Sequence, residues 1–162
     1  MPAQSRKYRT QWTSTFFAAG ELTRRGYLVT ITHGNARFVD LLVQSPKGKS
    51  FSIDVKGMST RNWIPVKKPD QEKGDQYYIL VYAPLNLNDG EIPRYFVMSS
   101  KEMLDELIKA ELEGSIKNKT RVAEGLSEYK EWTSGLQFKQ AENYKDKWEI
   151  LPGYEELKEQ NP

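Results

Sequence analysis

Apolar residues recur along this chain with two different periods, and the changes of period mark out its elements. Between residues 8 and 25, Trp12, Phe16, Ala19 and Leu22 fall at spacings of three and four, which predicts one helix with those residues on its buried face. Gly26 follows, where a helix commonly ends on a left-handed glycine. The period then drops toward two. YLVTIT (27–32), RFVDLLVQ (37–44) and SFSIDVK (50–56) predict three strands joined by the turns HGN and SPKGK. Pro65, Pro69 and Gly74 argue against a long helix between Gly57 and Gln76. YYILVYA (77–83) is a nearly continuous apolar run, which fits a strand buried on both faces. RYFVMS (94–99) predicts a further strand after a turn containing NDG.

SSKEMLDELIKAEL then reads as a helix. Ser99 and Glu102 have the capping-box spacing, and Met103, Leu104, Leu107, Ile108 and Leu112 make an apolar stripe. Residues 114–135 lose any clean period and are expected to be a loop. FKQAENY is expected to be a short helix, and KWEIL to pack Trp148, Ile150 and Leu151 back on the body. The order predicts an α/β fold with a mixed central sheet of about five strands flanked by helices. It would form one domain over 1–162, with a core at 11–112 and a loop and helical C-terminal extension at 113–162.

Composition narrows the chemistry. The 162 residues are 38% hydrophobic and 28% charged, enough for one core under a polar surface. No apolar run approaches the ~20 residues of a bilayer span. MPAQSRKYRTQW lacks the apolar stretch of a signal peptide, so a soluble, cytoplasmic protein is expected. There is no cysteine and one histidine, His33, which excludes disulfides, thiolate metal sites and a multi-histidine zinc site. Any metal must be a hard cation held by oxygen, such as magnesium or manganese. The net charge is only +2, but Arg6, Lys7, Arg9, Arg24 and Arg25 face a single acid, Glu21, in the first thirty residues. A second basic group comprises Lys56, Arg61, Lys67, Lys68 and Lys73. Local positive charge of this kind suits either a polyanion binder or an ordinary solvated face.

The second and third strands carry Asp40, Asp54 and Lys56 inside otherwise apolar runs. If SPKGK turns about Lys47, Asp40 faces Asp54 across the hairpin, with Cβ atoms roughly 5 Å apart. Alternation places Lys56 on the face of Asp54, while Phe51, Ile53 and Val55 point the other way. Two carboxylates so close raise one another's pKa, and a divalent cation taking oxygens from both removes the conflict. A neighbouring lysine can hold a phosphate oxygen and orient a water. These residue types suit metal-assisted phosphodiester hydrolysis. Asp-X-Lys by itself is weak, since any half-exposed strand alternates charge with apolar residues.

The arrangement resembles the PD-(D/E)XK nuclease superfamily, the restriction-endonuclease-like fold. Val39-Asp40 stands for its first element, Asp54-Val55-Lys56 for its second, and Glu21 in GELTRRGY for its helix glutamate. Valine replaces the proline of the family's name. The resemblance implies a Mg²⁺-dependent endodeoxyribonuclease, with Mn²⁺ as a substitute. Asp40 and Asp54 would bind the metal with help from Glu21, and Lys56 would orient the attacking water. The catalytic set is then Asp40, Asp54, Lys56 and Glu21. Arg9, Arg61, Lys67 and Lys68 are candidates for contacting a nucleic acid, DNA before RNA. A homodimer would suit double-strand cutting, although no stretch specifies one. Alternatives stay open at this point. Glu21 and Arg25 could be a surface i,i+4 pair, Lys56 a salt-bridge partner, and His33 a general acid or a turn residue. Trp63 could stack on a base or anchor a loop. The whole chain could be a catalytically silent nuclease-fold module for nucleic-acid binding or protein interaction.

Overall fold

The structure, a computed structural model, describes residues 3–32, 39–69, 71–85, 92–125 and 134–160. Helix α1 spans Ala3–Arg24, followed by strands β1 (Leu28–Ile31), β2 (Leu41–Gln44), β3 (Ser50–Met58), β4 (Ile64–Pro65), β5 (Gln76–Tyr82) and β6 (Arg94–Ser99). Helix α2 (Ser100–Ala123) leads to β7 (Gly135–Leu136), the short α3 (Phe138–Ala141), two 3₁₀ turns at 142–144 and 148–150, and α4 (Tyr154–Gln160). Among the described residues, no helix is long and apolar enough to cross a membrane.

Five strands form one mixed sheet in the order β1-β2-β3-β5-β6, and β4 pairs with β7 in a separate two-stranded ribbon. The α/β class and the five-stranded mixed sheet are as expected. The β1–β2, β2–β3 and β5–β6 pairs are antiparallel. The β3–β5 pair is parallel because the chain between them crosses over through β4. The hairpin register also matches expectation: Leu41 pairs with Ile53, and Val43 with Phe51, about the turn at Lys47.

Both faces of the sheet are covered. One carries Leu41, Val43, Phe51, Ile53, Val55, Ile79, Val81 and Val97 against Ala18 and Leu22 of α1 and Trp148 of the C-terminal segment. The other carries Tyr78, Leu80, Phe96 and Met98 against Met103 and Leu107 of α2 and against Leu136 and Phe138. This explains the unbroken apolar run of β5, which is central and buried on both sides. The face of β3 that bears Asp54 becomes a second core within one strand.

Several boundaries differ from those expected. Strand β2 begins at Leu41, so Asp40 stands at a bend just before it; residues 33–38, including His33 and the start of the expected strand, lie outside the described residues. Helix α1 starts five residues earlier than expected, and its buried positions are Ser14, Thr15, Ala18, Ala19 and Leu22. Phe16 is instead 58% exposed and stacks on Trp12 at 5.6 Å along the helix flank. The reason lies opposite. A Cβ on Gly57 would come within 2.5 Å of Ser14 Oγ and 2.7 Å of the Thr10 carbonyl, so the helix meets β3 too closely for large side chains. Gly26 ends α1 as expected, with φ 98° and the Tyr27 amide donating to the Leu22 carbonyl.

The capping box of α2 forms. Glu102 N donates to Ser99 Oγ at 3.2 Å and Ser99 N donates to Glu102 Oε2 at 2.8 Å. The helix then runs on to Ala123 where a loop was expected. Once nucleated, a helix adds polar residues at little cost, and no proline stops this one. Residues 126–133 of that expected loop, and the NDG turn at 88–90, lie outside the described residues. Trp148 and Leu151 do pack on the body, each 2% exposed.

Candidate active site

Asp40, Asp54 and Lys56 come together where β2 stops short of β3. Strand β3 runs on to Met58, while its partner β2 ends at Leu41 on that side. One further ladder bond survives, from Asp40 N to the Ile53 carbonyl at 2.9 Å. Beyond it, Asp40 Oδ2 accepts the Val55 amide at 2.7 Å. The carboxylate thus takes the amide that a continuing strand would have paired. Thr32 fixes Asp40 from the opposite side, with its amide donating to the Asp40 carbonyl at 2.9 Å.

Asp54 is 1% exposed. Lys56 Nζ lies 2.5 Å from its Oδ1, yet neither carboxylate oxygen receives a hydrogen bond of acceptable geometry. Burial raises the Asp54 pKa above its ordinary value; the Lys56 ammonium works against this, and Asp40 pushes it further up. Tyr78 pairs with Asp54 across the parallel ladder, and its buried hydroxyl also lacks a partner. Burial, assisted by the Asp54 charge, pushes that phenol up to about 12. Buried polar atoms are almost always paired, so Asp54 Oδ2 and the Tyr78 hydroxyl stand out beside the Lys56 ion pair.

The three residues line an open cleft of ≈ 650 Å³ at the C-terminal half of β3. Helix α1 contributes Arg6, Lys7, Thr10 and Gln11, and the chain after β3 contributes Ser59, Thr60 and Trp63. Arg6 and Lys7 are exposed and in no ion pair among the described residues.

Other candidates fall elsewhere. Glu21 does not line the cleft. It accepts from Arg24 at 2.7 Å and Arg25 at 2.8 Å, which together with hydrogen bonding lowers its pKa. It sits three turns past Gln11, roughly 15 Å farther along the helix axis. Of the expected backbone contacts, Lys68 pairs with Glu111 at 2.5 Å, and the Arg61 guanidinium lies 5.5 Å from the Tyr82 ring centre. Neither these two nor Arg9 and Lys67 line the cleft. The sequence did hold a signal for Arg6 and Lys7, the lysine- and arginine-rich start of α1. What it lacked was the crossing point at Gly57 that aims this end of the helix at the acids.

No family model, curated protein or solved structure matches the chain. Its chemistry has to be read from its own atoms.

Proposed function

We propose that this protein is a divalent-metal-dependent nuclease that hydrolyses phosphodiester bonds in DNA, on a fold of the restriction-endonuclease-like, PD-(D/E)XK kind. One observation carries the reading: a fully buried Asp54, ion-paired with Lys56 and otherwise without a hydrogen bond, beside Asp40 at the floor of a basic cleft. Burying a carboxylate costs several kcal/mol by the usual order of magnitude, and a cation bound beside Lys56 would offset it.

The donor set fits a hard cation. Among the described residues no group of three acids converges. Magnesium, however, commonly takes only one or two carboxylates and completes its shell with waters and substrate phosphate. Asp54 offers Oδ2, its Oδ1 being paired with Lys56, and Asp40 keeps Oδ1 while Oδ2 is engaged by Val55. When bound, the ion would supply an activated water and neutralise charge on the phosphoryl oxygens. Lys56 places an ammonium beside the same carboxylate, where it can hold a phosphate oxygen and stabilise the charge that grows on it. Arg6 and Lys7 at the cleft mouth would attract the phosphate backbone, making binding salt-sensitive.

Incubation of plasmid and single-stranded DNA with Mg²⁺ or Mn²⁺ tests this. Cleavage by the wild type is expected, with Asp54→Ala and Asp40→Ala each slower by at least ~10²-fold. A wild type inert on every nucleic acid, or Asp54→Ala equal to it, overturns the reading. Silence in a Mn²⁺ calorimetric titration would then leave the binding module as the better description.

A further inference from the structure

We infer that the cleft accepts an unpaired strand, with the Trp63 indole stacking on a base while the start of α1 holds the phosphates. The inference rests on the nucleic-acid half of the reading above and not on cleavage.

Two chemistries line this cleft. Helix α1 brings the cations Arg6 and Lys7, and the chain after β3 brings the aromatic Trp63. A cationic track beside an aromatic platform is the common arrangement for single strands, because every base has a π-face to stack. Trp63 is half-buried and firmly placed. It packs on Gly135, where any Cβ would lie 2.4 Å from its Cε2 and Cζ2. That rigidity suits a stacking surface, since little side-chain entropy remains to be lost on binding.

Accessibility points the same way. Asp54 is 1% exposed at the cleft floor, so the charged groups beside it meet a ligand inside the cleft. The ≈ 650 Å³ available lies within the range that encloses a small ligand. It has room for a short piece of one strand. In a duplex the ring faces are covered by neighbouring bases, and a base must leave the stack before a side chain can reach its face.

The test is fluorescence anisotropy of a short labelled oligothymidylate, its duplex with oligoadenylate, and an abasic oligomer of the same length, all in EDTA so that nothing is cut. Wild type should bind the single strand more tightly than the duplex. Trp63→Ala should weaken single-strand binding roughly 5- to 150-fold and leave the abasic oligomer unchanged, while Trp63→Phe keeps most of the affinity. Equal loss on normal and abasic oligomers, or a duplex bound as tightly as the single strand, overturns the inference. Oligouridylate run alongside decides between DNA and RNA as the source of the strand. If Trp63→Ala fails to fold, Trp63→Leu keeps the apolar packing without an aromatic face and is read in its place. Base-dependent binding in a protein that never cleaves would keep this inference and discard the nuclease. Cleavage with no Trp63 dependence in binding would do the reverse.

Discussion

At the C-terminal end of α1, Glu21 is gripped by Arg24 at 2.7 Å and Arg25 at 2.8 Å, and Arg25 in turn lies over the Trp148 ring at 4.2 Å. On the face of β3 turned away from that helix, Asp54 is buried beside one ammonium and a second carboxylate, with no well-formed hydrogen bond. The first acid has its pKa lowered by its partners, and the second has its pKa raised by burial. One is an acid placed for stability. The other is buried where its charged form is disfavoured, with Lys56 working against that. Both acids stood out in the sequence, and only their surroundings separate them.

Three substitutions bear on this contrast. The largest effect is expected from Gly57→Ala, which strikes the crossing that aims α1 at the cleft. Its methyl would press on Ser14 Oγ and the Thr10 carbonyl, and backbone cannot yield as a side-chain tip does. A loss at the upper end of the roughly 1–3 kcal/mol typical of overpacking is expected in urea unfolding, together with weaker cleavage. Cleavage and stability both unchanged would mean that the crossing does not organise the site.

Asp54→Asn should come next, with the opposite sign. Removing a buried carboxylate whose desolvation Lys56 offsets only in part should raise stability at neutral pH by about 1 kcal/mol or more while abolishing metal-dependent activity. The pH dependence follows from the direction of the shift. The folded state keeps the Asp54 proton from the ordinary value of 3.8 up through its raised pKa, so stability from this group is complete below that window and is lost as pH rises through it. The gap between variant and wild type should therefore open with rising pH and close in acid. A variant less stable than wild type at pH 7 without metal would show that Asp54 is a structural partner of Lys56.

Glu21→Gln should do least. Partly exposed ion pairs contribute about 0.2–1 kcal/mol, and melting should register a cost of that size with cleavage unaltered. Its pH profile should mirror the other. Glu21 is lowered from 4.5, so its contribution is present above that value and fades as pH falls through the lowered pKa. Loss of cleavage in Glu21→Gln with binding intact would put this residue back in the mechanism.

Local chemistry was legible in the sequence, and distances across the fold were not. The SPKGK turn fixed the β2–β3 register because side chains must alternate to keep Leu41 and Ile53 dry, and that register alone brought Asp40 to Asp54. Ser99 and Glu102 announced the start of α2 because a capping box needs only its own four residues. The failures were of a different kind. Trp12 and Phe16 have helical spacing, but the face a helix buries depends on how near it lies to its sheet, and here only Ser14, Ala18 and their neighbours fit over Gly57. Glu21 is a site candidate only by its place in a motif. Which end of α1 reaches the acids depends on the same crossing, which no spacing within the helix encodes. The 61–73 lysines and arginine were chosen by charge, and charge could not say that Lys68 would find Glu111 on α2.

The ribbon formed by β4 and β7 has a kinetic meaning as well. Ile64 and Pro65, next to Trp63, meet Leu136 and Gly135 in just two residue pairs, and a bond from Val66 N to the Ser134 carbonyl extends the contact. The partners come from distant parts of the chain, so zipping this ribbon closes a long loop for very few bonds. Its contact order is high, which places it late in folding. The aromatic side of the cleft is thus completed by the last piece of the molecule to set, and the burial of Ile64 and Leu136 in the second core holds it there afterwards.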